Sequence, residues 1–176
     1  MITHGIEIDC GGEDAWEKSN AELVRRYFDV VWNQGDLAAV DDFFGENFTN
    51  FGQRGPDARA LIRAVVATWR AAFPDLRFDI EDEIVRGDAV VHLVTCRGTH
   101  TGRFEHPAIG VLEPSGSSFA VDHMHIHRVR DGRIVQHWGT RNDLAMLQQL
   151  GAVAVPQPTR VTYRGGRVED PGRDRD

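Results

Sequence analysis

Lysine is almost absent from this chain: Lys18 stands beside nineteen arginines, and no Lys/Arg cluster interrupts a sequence of net charge −7. Phosphate backbones are held by cations gathered on one face, so nucleic acid is excluded as a partner. Cysteine is scarce as well, with Cys10 and Cys96 far apart in the sequence. Two such thiols build no disulfide framework, and a reducing cytoplasm is the expected location. No apolar run approaches the ~18 residues that mark a membrane-spanning helix. The N-terminal Met1 to Glu7 has no basic stretch followed by an apolar one, so neither secretion nor membrane insertion is expected. Also missing are a Gly-rich phosphate loop between strand and helix and a serine or cysteine nucleophile motif. Nucleotide-dependent and acyl-enzyme chemistry therefore drop out.

What remains is an ordinary globular composition, 41% hydrophobic and 27% charged over 176 residues, enough for one domain with one core. Residues 1–18 are acidic and aperiodic and read as a flexible leader, with Trp16 as a candidate anchor to the core. The ordered domain is expected over residues 19–151. Ser19 and Glu22 have capping-box spacing, and Leu23, Val24, Tyr27, Phe28, Val31 and Trp32 follow on one helical face that ends at Gly35. Asp36 is placed to cap a short second helix. Pro56 starts a third, whose buried stripe is Leu61, Ile62, Val65, Val66, Trp69 and Phe73.

From Leu76 the period changes to two. Arg86-Gly87-Asp88 turns one hairpin, and Asp131-Gly132 joins a strand over Ser118 to Arg130 to another over Arg133 to Arg141. Asp143 to Leu150 reads as a closing helix stopped by Gly151. Residues 152–176 form a Pro-, Gly- and Arg-rich tail, an assembly arm or disordered, with a small hairpin signal at Val161 to Val168. Helices first and antiparallel strands afterwards describe an α+β domain whose curved sheet, covered by three N-terminal helices, leaves a pocket for a small molecule.

The densest polar cluster is Asp122-His123-Met124-His125-Ile126-His127. Strand geometry sends His123, His125 and His127 to one face and Met124 and Ile126 to the other. His137 has the same parity across the Asp131-Gly132 turn, and His100 ends the preceding strand. Imidazoles that titrate near ~6.5 suit acid, base or hydrogen-bonding work if they line the pocket. Alternation alone does not say which face looks inward. Two histidines at i, i+2 with a third across the hairpin also permit a three-His metal site, although no carboxylate or cysteine has ligand spacing. Trp32, Trp69 and Tyr27 serve the core, the pocket, or both.

Several blocks together resemble the SnoaL-like polyketide cyclases of the nuclear transport factor 2-like superfamily. They are Ala21-Glu22-Leu23-Val24-Arg25-Arg26-Tyr27-Phe28, Trp32-Asn33-Gln34-Gly35-Asp36, Ala72-Phe73-Pro74-Asp75-Leu76, Gly98-Thr99-His100-Thr101-Gly102-Arg103-Phe104 and Gln136-His137-Trp138. The resemblance runs from Ala21 to Gly151. It implies a cone-shaped α+β fold, a homodimer or homotetramer, an enclosed pocket and no cofactor. It also implies ring closure of a polyketide-like carbonyl compound by intramolecular aldol condensation. The family's histidines fall on His137 and His125, its glutamine on His123, and its acid–base aspartate on Gly139. Since glycine moves no proton, His123, His125 and His137 become the candidate catalytic groups. Tyr27, Trp32, Asn33, Trp69, His100, His127 and Gly139 are the candidate substrate-binding positions. Cyclase, isomerase and dehydratase chemistry all remain open, beside a non-catalytic small-molecule-binding or accessory role and a metal-dependent enzyme built on the histidines.

Overall fold

The computed structural model describes residues 11–106 and 109–154. Helix α1 spans Gly11–Tyr27 and so begins well before Ser19. Its early turns are tied to the sheet: Glu17 Oε1 accepts from the Gly87 amide at 2.6 Å and Asn20 Nδ2 donates to the Gly87 carbonyl at 3.3 Å. The helix thus runs through Ser19 rather than starting from a cap there, and these two contacts hold it to the turn at Gly87. Trp16 does not dock on the core and stays 45% exposed.

The same helix runs on as a π-helical segment over Phe28–Asn33, with the Gln34 amide bonded to Asp29 O at 2.9 Å. The wider turn sets residues five apart over one another, and Trp32 Nε1 donates to the Tyr27 hydroxyl at 2.9 Å. Gly35, at φ +77°, ends the segment as expected. Asp36 then accepts from the amides of Ala38 and Ala39 ahead of α2, Val40–Phe43. Helix α3, Gly55–Ala72, carries Pro56 in its first turn and buries Ala58, Ile62, Val66, Trp69 and Ala72.

The sheet is mixed, its strands lying in the order β2 (Gln53–Arg54), β1 (Phe44–Asn50), β8 (Arg133–Arg141), β7 (Ser118–Arg130), β4 (Ala89–Thr99) and β3 (Arg77–Arg86). Strands β3, β4, β7 and β8 pair antiparallel, as expected from the hairpin turns at Gly87 and at Asp131-Gly132. The departure is β1, Phe44–Asn50, a strand not expected from the sequence, which lies parallel to β8 and places Asn50 opposite His137. Its Phe-Gly-Glu-Asn-Phe-Thr-Asn run has neither strict alternation nor β-branched density, so pairing with β8 rather than local propensity makes it a strand. Strand β2, Gln53–Arg54, doubles back on it.

Asp131 and Gly132, both at positive φ, form the two-residue turn between β7 and β8. The connection between β4 and β7 holds a separate ribbon of β5 (Phe104–His106) and β6 (Gly110–Leu112). Helix α4, Asp143–Gln149, closes the described domain. One core, including Phe28, Phe48, Phe73, Val90, Val94 and Ile134, lies between the helices and the concave face of the sheet. Cys96 is buried there as a free thiol, whereas Cys10, the Val161 to Val168 hairpin signal and most of the expected leader and tail fall outside the described residues.

Candidate functional site

The histidine face looks inward. His123, His125 and His127 are 2%, 7% and 0% exposed, while Met124 and Ile126 between them are 48% and 37% exposed on the outer face. On β4, His92 pairs with His125 and is also buried. Against this face lies a cavity of about 480 Å³. Helix α3 gives it Leu61, Ile62, Val65 and Trp69, and the π-helical segment gives Trp32. The sheet gives Phe78, His123, His125, His137, Gly139 and Arg141, with Asn50, Phe51 and Asp143 completing the lining.

At its polar centre His125 Nδ1 lies 3.0 Å from His137 Nε2, and His137 Nδ1 lies 2.7 Å from Asn50 Oδ1. The bond between the two imidazoles is diagonal across the hairpin, since His137 faces His127 directly and His125 faces Gly139. Gly139 makes the approach possible: a Cβ there would sit 2.8 Å from His125 Nδ1 and 3.4 Å from His137 Nε2. Phe51 holds a left-handed φ of +48° and sets its ring edge-on to His137, with centroids 5.5 Å apart. A bulky residue at positive φ is strained, and strain of this sort gathers at sites that use it.

Burial keeps these rings neutral. It lowers His137 and, with help from the Arg141 charge, His123 to about 4. Burial together with repulsion from neighbouring imidazoles holds His125 and His127 well below the ordinary value. His92 is also lowered by burial, against the opposing pull of Glu83, whose Oε2 is 2.7 Å from its Nε2. Both nitrogens of His123 and Nε2 of His125 have no hydrogen-bond partner among the described residues. These are buried polar atoms left unpaired, a cost that persists until a ligand or a bound water satisfies them. Arg141 reaches Asp143 at 2.9 Å and lies over the Trp69 ring at 5.7 Å, so one charged pair borders an otherwise largely aromatic and aliphatic space.

Six of the ten positions singled out in the sequence line the cavity: His123, His125, His137, Trp32, Trp69 and Gly139. The structure does not bring the other four to its wall. Tyr27 is 2% exposed behind Trp32, which it orients through its hydroxyl, and burial raises its phenol pKa. Asn33 clamps the helix to β3, with Nδ2 donating to Phe78 O at 3.1 Å and Oδ1 accepting from Phe78 N at 2.8 Å. His127 is sealed under the site against Tyr27, Phe28 and His137. His100 packs on Phe73 and accepts at Nδ1 from the Ser115 amide at 3.3 Å. A three-His metal arrangement is not formed either. Among the described residues no group of three or more His, Cys, Asp or Glu side chains is placed to hold an ion.

Sequence reasoning missed Asn50, Phe51 and Phe78, together with Arg141 and Asp143. Arg141 was within reach, because it shares strand parity with His137 and Gly139. Asn50 was not, because its place depends on the unrecognised parallel strand.

A curved mixed sheet closed by helices places the chain in the nuclear transport factor 2-like class of small α+β proteins. Within that class, residues 22–150 match the family described as SnoaL-like polyketide cyclase, and the chain belongs to it. Solved structures agree. TsrD from Streptomyces laurentii is 27% identical, with a TM-score of 0.66 over 77% of this chain and 97% of that one. IdmH from Streptomyces antibioticus is 27% identical, with a TM-score of 0.63 over 75% of this chain and 98% of that one. A SnoaL-like polyketide cyclase from Agrobacterium tumefaciens, 18% identical with a TM-score of 0.61 over 75% and 98%, adds to the fold alone. No curated protein matches the chain. Among the described residues no helix is long and apolar enough to cross a membrane.

Proposed function

We propose that this protein is a cofactor-independent enzyme that acts on a polyketide-like or other small carbonyl compound by histidine-based proton transfer. Intramolecular aldol cyclisation is the foremost reaction, with isomerisation or dehydration as variants of the same chemistry. The observation that carries this reading is the hydrogen-bonded His125–His137 pair on the cavity wall, beside the glycine that stands in place of the family's aspartate. A neutral His125 can take a proton from a carbon next to a carbonyl, leaving an enolate and an imidazolium. The enolate carbon bonds to a second carbonyl of the same molecule, and the alkoxide so formed recovers the proton from the His125 imidazolium, with neutral His123 on the same cavity wall as a hydrogen-bonding group. Nothing is oxidised or reduced. Trp32, Trp69 and Phe78 give the apolar surface against which an aromatic polyketide chain can fold.

The family resemblance also implies a homodimer or homotetramer. Its support here is a row of apolar residues crossing the outer face in register, Ile84, Val91, Ile126 and Trp138, of which Ile84, Ile126 and Trp138 are 62%, 37% and 41% exposed. A second copy of the chain suits that row.

A non-catalytic binding role is the second reading, favoured by Gly139. One experiment separates the two, using as probe an aromatic 1,3-diketone that carries a further, remote carbonyl. Saturable binding with cyclised or dehydrated product is expected, and His125→Ala should lower turnover by about 10²–10⁴-fold while binding persists. Binding without product supports the accessory role. Full turnover in both His125→Ala and His123→Ala would sink the histidine mechanism.

A further inference from the structure

We propose that Asn50 fixes the direction of proton transfer at this site by locking His125, through His137, with its proton on Nδ1 and its Nε2 bare. The inference rests on the catalytic reading above and adds a residue and a protonation pattern to it. The chain of hydrogen bonds determines the pattern from one end. Asn50 Oδ1, 5% exposed in β1, can only accept, so the 2.7 Å contact puts a proton on His137 Nδ1. A neutral His137 then has a lone pair on Nε2. The 3.0 Å contact to His125 must therefore be donated by His125 Nδ1–H, leaving His125 Nε2 as the unprotonated atom. Of the two His125 nitrogens, that is the buried atom left without a partner among the described residues, and its side chain belongs to the cavity lining.

Gly139 is a second, independent mark of the same arrangement. The space its missing side chain leaves is the space between the two rings, where a Cβ would lie 2.8 Å from His125 Nδ1 and 3.2 Å from its Cε1. The aspartate expected at this position would part them. Here the proton acceptor has moved from β8 to His125 on β7, and the glycine is a condition of the move. When His125 Nε2 takes a proton, its Nδ1–H stays on His137, and the Asn50 carbonyl holds His137 in the accepting form. Asn50 is thus a positioning residue. Its amide adds no charge; His125 is held unprotonated by burial first and then by the imidazoles of His137, His123 and His92 and the Arg141 guanidinium, while the Asp143 carboxylate on the same wall is paired with Arg141. Phe28, packed on His125 from the helical side, brings no charge.

The test is a long-range proton–nitrogen correlation spectrum of the full chain labelled with ¹⁵N in its imidazoles, at pH 7, with His125→Gln and His137→Gln to assign the signals. Both rings are expected as the Nδ1–H tautomer, the less common form of a free imidazole. Nε2–H at both would mean that Asn50 donates through its amide, and would overturn the proposal. Asn50→Asp keeps an acceptor and adds a charge. It should preserve both tautomers and raise the pair's titration by about 1–3 pH units. Asn50→Leu should leave both rings as tautomer mixtures and, on a confirmed substrate, lower kcat by at most about 10²–10⁴-fold with KM unchanged. Unchanged tautomers in Asn50→Leu would also overturn the proposal. The spectra need no substrate, so Nδ1–H rings in a protein without turnover would uphold the Asn50 assignment while removing the catalytic reading.

Discussion

At the scale of single residues, Gly139 decides how this site differs from the family pattern. Restoring the acid by Gly139→Asp is expected to disrupt rather than repair, because any Cβ must displace the His125 ring from 2.8 Å. Overpacking of this kind costs about 1–3 kcal/mol. Urea unfolding of Gly139→Asp should show that loss together with a broken His125–His137 contact. Wild-type stability with the contact intact would mean that the glycine is incidental. Residues on the long strands were the legible ones: His123, His125 and His137 follow from alternation and hairpin parity alone. Tyr27 and Asn33 misled because polar groups on an amphipathic helix look the same in sequence whether they face a ligand or pin the helix to a strand, as Asn33 does to Phe78. The inward direction of the histidine face was not legible, since either face of an alternating strand can be the buried one until its partners are known.

Among the elements, the Gly98 to Phe104 block turns out to be a clasp rather than part of the cavity. The Thr99 amide and hydroxyl both bond to the Asp75 carboxylate, at 2.7 and 2.8 Å, and lower its pKa. Thr101 and Gly102 donate their amides to the Ala72 carbonyl at the end of α3. This joins α3, which carries Trp69 into the cavity, to the end of β4, and it explains why His100 sits in a family-like block yet touches no ligand space. The clasp demands close backbone approach, as a Cβ on Gly102 would fall 2.0 Å from the Ala71 carbonyl oxygen. Gly102→Ala is therefore expected to lose about 2–4 kcal/mol, read as a lower urea midpoint at unchanged slope. A midpoint equal to wild type would show that the clasp is loose. Hairpins and caps were readable because two-residue turns and Pro56 act locally. The parallel β1 was not, because its partner β8 is far along the chain and nothing in Phe44 to Asn50 announces it.

For the molecule as a whole, the price of the site is a core that holds histidines where other proteins hold aliphatic side chains. His92, His123, His125, His127 and His137 are all buried, and burial lowers the pKa of each, to about 4 for His123 and His137. In the unfolded chain these groups titrate near ~6.5. Between those values the unfolded state binds protons that the folded state refuses, so stability rises with pH across the window and is lost as pH falls from ~6.5 towards 4. Each such group contributes about 1.4 kcal/mol per pH unit within the window, and His123 and His137 together about twice that. Domain stabilities are about 5–15 kcal/mol, so a fall of this slope brings the protein close to unfolding near pH 4 to 5. Urea midpoints at pH 7, 6 and 5 should drop with an uptake of at least two protons on unfolding. Replacing the sealed His127 by Leu, which touches no ligand space, should flatten the drop and leave the His125–His137 contact in place. A midpoint that stays level from pH 7 to 5 would mean that these rings are hydrated or already charged, and the neutral His125 on which proton abstraction depends would be lost with it.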